Sequence, residues 1–387
     1  MQTSRPPLDP CIEATRFAVS GTFLNAAYTH PMSVASADAI KTYIDARMQN
    51  GVAPDYSMVA DRNAALGLFA RLVNCDPDEL GWIPSTMAGE NLVAAGLRLA
   101  GEGAHIVTDP AHFEGSLYLY RQLEARGASV TVLPLVDNGV TLAHLDAAIR
   151  PGTRLVALSL VSALTGFTHD LRAVCDLAHA KGAMVYADII QAAGAIPVDL
   201  HASGVDFAAC STYKWLMGDF GAGFLYVRRD RLDRLRQVQF GYRQMAGFRT
   251  HHLPYDEPGP DMLSYELRDG TARVSEVGTL GNAGVAALRV SLDYLLETGV
   301  DRIAAHRRVL LDSLQDRLPA AGFVPLTRRD SAGPLVTFAV RDGEALRPRL
   351  EQAGIQVQLY RHRIRISPSV YNTMADIDRL VDVLAQP

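Results

Sequence analysis

From residue 81 to residue 226 the chain alternates short apolar runs with segments of helical periodicity. Residues 104–108 read as a strand, 114–126 as a helix, 130–135 as a strand and 141–149 as a helix. The run 154–161 is almost continuously apolar, the pattern of a strand covered on both faces. Residues 170–181 are then helical, with Gly182 as the stop. Two more apolar runs follow, one ending at Asp188 and one, 207–213, ending at Lys214. This alternation predicts an α/β fold, a mostly parallel sheet with helices on both faces. The stretch 241–273, with His251, His252, Pro254, Pro258, Gly259 and Pro260, breaks the rhythm and reads as a long irregular excursion. Excursions of that length in a compact protein tend to be functional or interfacial. Beyond it, 282–297 and 302–318 have the pattern of long helices. A smaller α+β pattern closes the chain: strand 335–340, helix 344–353, strand 364–367 and helix 374–384. The expected division is a large domain over 21–295 and a small one formed by 1–20 and 296–387.

Composition narrows the function classes. The 387 residues are 48% hydrophobic and 20% charged, ordinary for a globular protein, and suit a large core plus a smaller one. A net charge of −5 gives no reason to expect nucleic acid or an anionic membrane as partner. No apolar run reaches the ~18 residues of a spanning helix. Residues 1–10 are polar and proline-rich and do not read as a secretory signal. Cys11, Cys75, Cys175 and Cys210 show no metal-ligand spacing and read as reduced thiols, so a cytoplasmic enzyme is the expectation.

Asp188 and Lys214 stand 26 positions apart, each at the end of a buried-looking strand. Two such ends in one sheet can bring an amine and a carboxylate into the same cleft. Pyridoxal phosphate needs that pair, a lysine for the Schiff base and a carboxylate for the pyridinium nitrogen. Desolvation at a strand end beside Trp215 lowers the pKa of a lysine amine and makes it nucleophilic at neutral pH. Gln191, three residues after Asp188, can reach a ring hydroxyl. Ser85 and Thr86 follow the apolar run 82–83 at a helix start, where hydroxyls and free N–H groups bind anions. Ser211 can add a third hydroxyl to a phosphate. Each signal alone has an ordinary explanation, a helix cap or a solvated loop residue; their order along the chain is what joins them.

With these residues in place the sequence resembles the class V aminotransferase group of fold-type I pyridoxal phosphate enzymes, which includes cysteine desulfurases, selenocysteine lyases, kynureninases and isopenicillin N epimerases. The resemblance rests on five segments. They are residues 23–28, the D-x-x-Q-x-x-G run from Asp188 to Gly194, Ser211-Thr212-Tyr213-Lys214, Glu276-Val277-Gly278-Thr279, and the tail from Arg365 through Tyr371-Asn372-Thr373. It implies that Lys214 holds the cofactor and shuttles the Cα proton, and that Asp188 and Gln191 bind the ring. Ser85, Thr86, Ser211 and Tyr213 would surround the phosphate, and Arg365, in a basic cluster with Arg361 and Arg363 that leaves the choice among the three open, would hold the substrate α-carboxylate. Thr279 would reach the phosphate of a neighbouring subunit, implying a homodimer with shared sites. Both His112 and Phe113 are offered as the ring stacked on the cofactor. A kynureninase- or epimerase-like register puts Phe113 there, a shift of one puts His112 there, and Phe113 is preferred.

The departures from the family pattern bear on the reaction. Ala163 stands where an asparagine is usual. No cysteine lies in 354–365, where desulfurases carry their nucleophile, so persulfide formation is not expected. Gln191 replaces the histidine of kynureninases. The expected activity is at Cα of an amino acid or amino-acid-bearing metabolite, with β-elimination (C–S lyase-like) ahead of transamination or epimerisation. The rival from another class is a catalytically silent relative that binds the cofactor.

Overall fold

A computed structural model describes residues 7–50 and 58–386. Two helices, α1 (Val34–Asn50) and α2 (Val59–Val73), precede the first strand of a seven-stranded sheet. In chain order its strands and intervening helices are β1 (Leu80–Ile83), α3 (Thr86–Gly96), β2 (His105–Thr108), α4 (Glu114–Glu124), β3 (Ser129–Val132), α5 (Leu142–Ala148), β4 (Thr153–Ser159), α6 (Leu171–Ala180), β5 (Met184–Asp188), β6 (Phe207–Ser211) and β7 (Gly223–Val227). The spatial order is β1-β7-β6-β5-β4-β2-β3. β2 to β6 pair in parallel, while β7 runs against both its neighbours, β1 and β6.

The apolar runs give these strands because both faces are covered. Every residue of β6 and β7, and six of the seven in β4, are buried. One core holds Val156, Leu158, Val185 and Ala208 on one side of the sheet. A second holds Ala157, Tyr186, Phe207 and Leu225 on the other. Each fully buried Val or Leu contributes roughly 1.5–3 kcal/mol. Thr141 caps α5 and Asp170 caps α6, each side chain accepting from the backbone N–H three residues on. Helix α6 stops at the predicted place, where Gly182 takes φ +79°.

After β7 the chain forms an antiparallel hairpin, β8 (Met245–Thr250) with β9 (Leu263–Leu267). The stretch expected to be irregular is therefore partly ordered. No residue of the hairpin is buried, so neither of its faces imposes the alternation by which strands are recognised. Helix α7 (Asn282–Thr298) packs on α1 and α2, and α8 (Val300–Arg317) follows. The last sheet joins β10 (Val324–Pro325), β11 (Val336–Ala339), β12 (Gln358–Tyr360) and β13 (Arg363–Ile366) in the antiparallel order β10-β11-β13-β12. It shares a core with α8 and the final helix α9 (Met374–Ala385), including Leu310, Leu314, Phe338, Ile364, Ile366 and Leu380. The helix expected over 344–353 begins as a 3-10 turn, Glu344–Leu346, and becomes α-helical only at Arg347–Gln352. Pro348, which has no N–H to donate, sits in that first turn. No helix among the described residues is long and apolar enough to cross a membrane.

Candidate active site

The site is assembled by strand register. Ile83, Gly223 and Ser211 lie level across β1, β7 and β6, so helix α3, which starts just past β1, ends up beside the end of β6. Gly223 permits this approach, because a Cβ there would sit 2.6 Å from the Cys210 carbonyl oxygen. The Thr86 N–H donates to Ser211 Oγ at 2.8 Å, the Ser211 N–H donates to Thr86 Oγ1 at 2.9 Å, and the two hydroxyls are 3.0 Å apart. Ser85 is the N-cap of α3, its Oγ accepting from the Ala88 N–H. Three predicted hydroxyls thus gather at the positive end of an 11-residue helix.

A second row, Ser159, Asp188 and Ala209, crosses β4, β5 and β6. Asp188 is buried, and its Oδ1 accepts from the Ile190 N–H at 2.9 Å. Loss of solvent raises its pKa to about 6, against the opposing pull of His112 and Lys214. Lys214 itself lies past the end of β6, three residues beyond Ser211, in a tight loop where Met217 takes a left-handed φ of 57°. The apolar run therefore overshoots the strand. Residues 212–218 continue as a buried loop held by the Gly218 N–H to the Thr212 carbonyl at 2.9 Å. Burial lowers the Lys214 amine to about 8, with Asp188 pulling the other way and Arg365 adding to the drop. The D-x-x-Q-x-x-G glycine has a steric reason. Gly194 has φ +83°, and a Cβ there would meet the Trp215 carbonyl oxygen at 2.4 Å, so only glycine lets this turn lie under the lysine loop.

A cleft of about 290 Å³ opens over these strand ends. Its lining includes Lys214, His112, Phe113, Tyr213, Ala163 and Arg365. Larger depressions beside Tyr294, beside His306 and beside Asn63 contain none of the predicted residues. His112 is 3% exposed and sits between Ser159 Oγ, 2.8 Å from Nδ1, and Glu90, 3.2 Å from Nε2. Phe113 is 37% exposed at the N-cap of α4, and its ring leans over Gly115. Tyr213 lines the cleft with its ring stacked on Phe220 at 4.5 Å. Arg365, on β13, is buried and donates from Nη1 to the Ala163 carbonyl at 3.1 Å. The residue that replaces the usual asparagine therefore offers its backbone to the arginine.

Not every predicted residue reaches the cleft. Gln191 is buried with both ends of its amide engaged, Nε2 on the Ala27 carbonyl and Oε1 on the Trp215 indole N–H. Thr279 is exposed and lies outside the cleft lining of the single chain. None of the four cysteines lines the cleft. Cys175 and Cys210 are buried, and burial holds the thiols of Cys75, Cys175 and Cys210 well above their ordinary range.

Sequence reasoning missed Glu90. It is 1% exposed on α3 and accepts from His112 Nε2 and from the hydroxyls of Ser116 and Tyr120. Despite burial, these donors hold the carboxyl below its ordinary value, and Glu90 in turn raises the His112 imidazole. A glutamate on an otherwise apolar helix face was the available signal. The lowered carboxyl stabilises the fold above its ordinary value of 4.5 and ceases to as pH falls. The raised imidazole stabilises below 6.5 and ceases to as pH climbs past its raised value. Glu90→Leu should lower unfolding free energy by ~3 kcal/mol or more near pH 6, because it strands three buried donors. Denaturant titration checks this, and a loss under ~1 kcal/mol would show that the network carries little.

The family model described as aminotransferase class-V matches residues 60–380. A probable cysteine desulfurase of Methanothermobacter thermautotrophicus is 30% identical over 297 residues, covering 76% of this chain and 71% of that protein. Among solved structures, the cysteine desulfurase CsdA of Escherichia coli superposes with a TM-score of 0.84 at 24% identity, covering 98% of each chain. The cystine C-S lyase C-DES, in complex with cysteine persulfide, superposes with a TM-score of 0.84 at 21% identity, covering 95% of this chain and 98% of that one. The two superpositions match the arrangement seen here, a seven-stranded, mostly parallel sheet with a small antiparallel sheet near the C-terminus.

Proposed function

Because the chain belongs to the class V aminotransferase family of pyridoxal phosphate enzymes, we propose that it acts at Cα of an amino acid and, first among the family's reactions, carries out β-elimination. The observation that carries this reading is the Lys214 amine, lowered to about 8 by burial and within electrostatic reach of Asp188, in a cleft that Arg365 also lines. The site's donors suit the cofactor. A buried carboxylate stands ready for a protonated ring nitrogen, an amine for the aldehyde carbon, and hydroxyls at a helix N-terminus for a phosphate.

On this reading Lys214 is the covalent anchor and, when released, the base that moves the Cα proton at Nζ. Asp188 keeps the proton on the ring nitrogen. Ser85, Thr86 and Ser211 bind the phosphate, with Tyr213 beside them. Arg365 grips the α-carboxylate through its guanidinium fork. His112, held flat between Ser159 and Glu90, is a better cover for the ring face than the half-exposed Phe113, which we assign to the wall. Gln191 braces the Trp215 indole and has one N–H left for a ring oxygen. Pyridoxal phosphate, when bound, supplies the electron sink that makes Cα acidic.

The named relatives, cysteine desulfurases and a cystine C-S lyase, act on sulfur by their names. Here no cysteine reaches the cleft to accept that sulfur, which favours direct release of the leaving group over persulfide formation. We also propose a homodimer, with Thr279 completing the phosphate site of the partner subunit. The hairpin β8–β9 exposes Phe248, Leu263, Tyr265 and Leu267, and two strands alone are marginal without a surface to lean on. A single-chain mass in solution would remove this part. The domain division at 21–295 against 1–20 with 296–387 belongs to the same reading.

The test loads the protein with pyridoxal phosphate and supplies β-substituted amino acids. Oxo acid and ammonia, with the cofactor regenerated, are the expected products. Pyridoxamine phosphate with a full-length oxo acid would replace elimination by transamination, and loss of optical purity alone would replace it by epimerisation. No cofactor uptake and no product would make the chain a silent relative.

A further inference from the structure

Strand β13 carries two arginines, Arg363 and Arg365, and alternation sends both side chains from the same face, with Cα atoms roughly 6.6 Å apart. Both line the cleft that contains Lys214. The α-carboxylate of a substrate needs one guanidinium, and the proposed function gives it Arg365. The second is unexplained by that function.

Arg363 is held for use. Its guanidinium carbon lies 3.9 Å from the centre of the Tyr360 ring, a stack that fixes the plane of the fork and leaves its edge free. Its Nε has no hydrogen-bond partner, and neither has Nε of Arg365. Among the described residues no carboxylate forms an ion pair with either arginine. The acid that shares the lining is Glu114, which interacts with Arg365 and Lys214 at longer range. Two neighbouring cations with buried, unpaired N–H groups disfavour each other, and a dianionic ligand relieves both. The remaining walls, from Tyr28, Phe113, Leu164 and Phe220, are apolar and contribute no competing anion. At about 290 Å³ the cleft is at the small end of ligand sites, and a cofactor held by Lys214 would share it, so the room left suits a small substrate.

We propose that Arg363 is a second anion subsite, and that the substrate is an α-amino acid whose short side chain bears a carboxylate or an isosteric oxyanion. This rests on the reading in which Lys214 carries the cofactor and Arg365 takes the α-carboxylate. Arg363 then selects the substrate by its charge, and Tyr360 positions Arg363.

The test uses the cofactor-loaded enzyme and follows the change in its visible absorption as L-aspartate, L-glutamate, L-asparagine and L-glutamine are titrated in. One of the two acids is expected to bind roughly tenfold or more tightly than its amide. In Arg363→Gln that acid-to-amide ratio falls to near one, and in Arg363→Lys, which keeps the charge but not the fork, it is intermediate. A wild-type enzyme that answers to amino acids without preferring acid over amide overturns the subsite alone, as does a preference that survives in Arg363→Gln. An enzyme whose spectrum answers to no amino acid overturns the underlying reading and the subsite with it.

Discussion

Replacing Lys214 with alanine should lower turnover by roughly 10³-fold or more, since it removes the anchor and the proton carrier together. Cofactor should still be retained without a covalent bond, because the Thr86–Ser211 cluster and Asp188 are independent of the lysine side chain. Dialysed variant that holds cofactor but turns nothing over is the expected result; a variant with near wild-type turnover ends the assignment. The wild-type amine supplies a matching pH signature. Its pKa falls from 10.5 to about 8 through burial, so its neutral, nucleophilic fraction at pH 7 rises to ~10%, against ~0.03% for a solvated lysine. Cofactor capture by apoenzyme should therefore rise with pH and level off above about 8. A capture rate that keeps climbing past pH 10 would put this amine in solvent.

The second large effect is Asp188→Asn, and it should act in opposite directions on stability and on chemistry. Burial raises the carboxyl from 3.8 to about 6. An acid whose folded pKa is raised favours the fold below its unfolded value, and that contribution is lost as pH rises through 6. At pH 8 the ionised, buried carboxylate is a burden of up to ~3 kcal/mol, which asparagine does not carry. The amide oxygen can still accept from the Ile190 N–H. The variant apoprotein should thus unfold at higher denaturant than wild type at pH 8, with the gap closing toward pH 4. Turnover should fall by roughly 10²–10³, because a neutral amide cannot keep the ring nitrogen protonated. Equal stability of the two apoproteins at both pH values would mean that water reaches Asp188 after all.

These two residues were also the ones most readable in the sequence, and the reason is physical. A strand buried on both faces leaves an unbroken apolar run, so a charged residue at its end stands out; β5 and Asp188 are the clearest case. Lys214 stood out the same way although β6 ends earlier, because most of the loop around it, Thr212 and residues 215–218, is buried like the strand. Directions and contacts were not readable. Periodicity does not say that β7 runs backward, yet that reversal leaves Ser211 beside Thr86. Glu90 stands on an apolar helix face, but its partners appear only when α4 brings Ser116 and Tyr120 over it. The family tail singles out Arg365, but that Arg363 shares its cleft follows only from their common face on β13.

Having the proposed cofactor contacts on one sheet and the arginines on another has a practical consequence. The amine, the carboxylate and the hydroxyl cluster hang from β1, β5 and β6, whereas Tyr360, Arg363 and Arg365 belong to the sheet packed on α8 and α9. Libraries that vary only residues 358–365 would leave the chromophore's own contacts untouched, so the yellow colour of a colony would report folding while substrate preference is free to drift. Selection for a new amino acid could then be run by eye, discarding colourless clones before any assay.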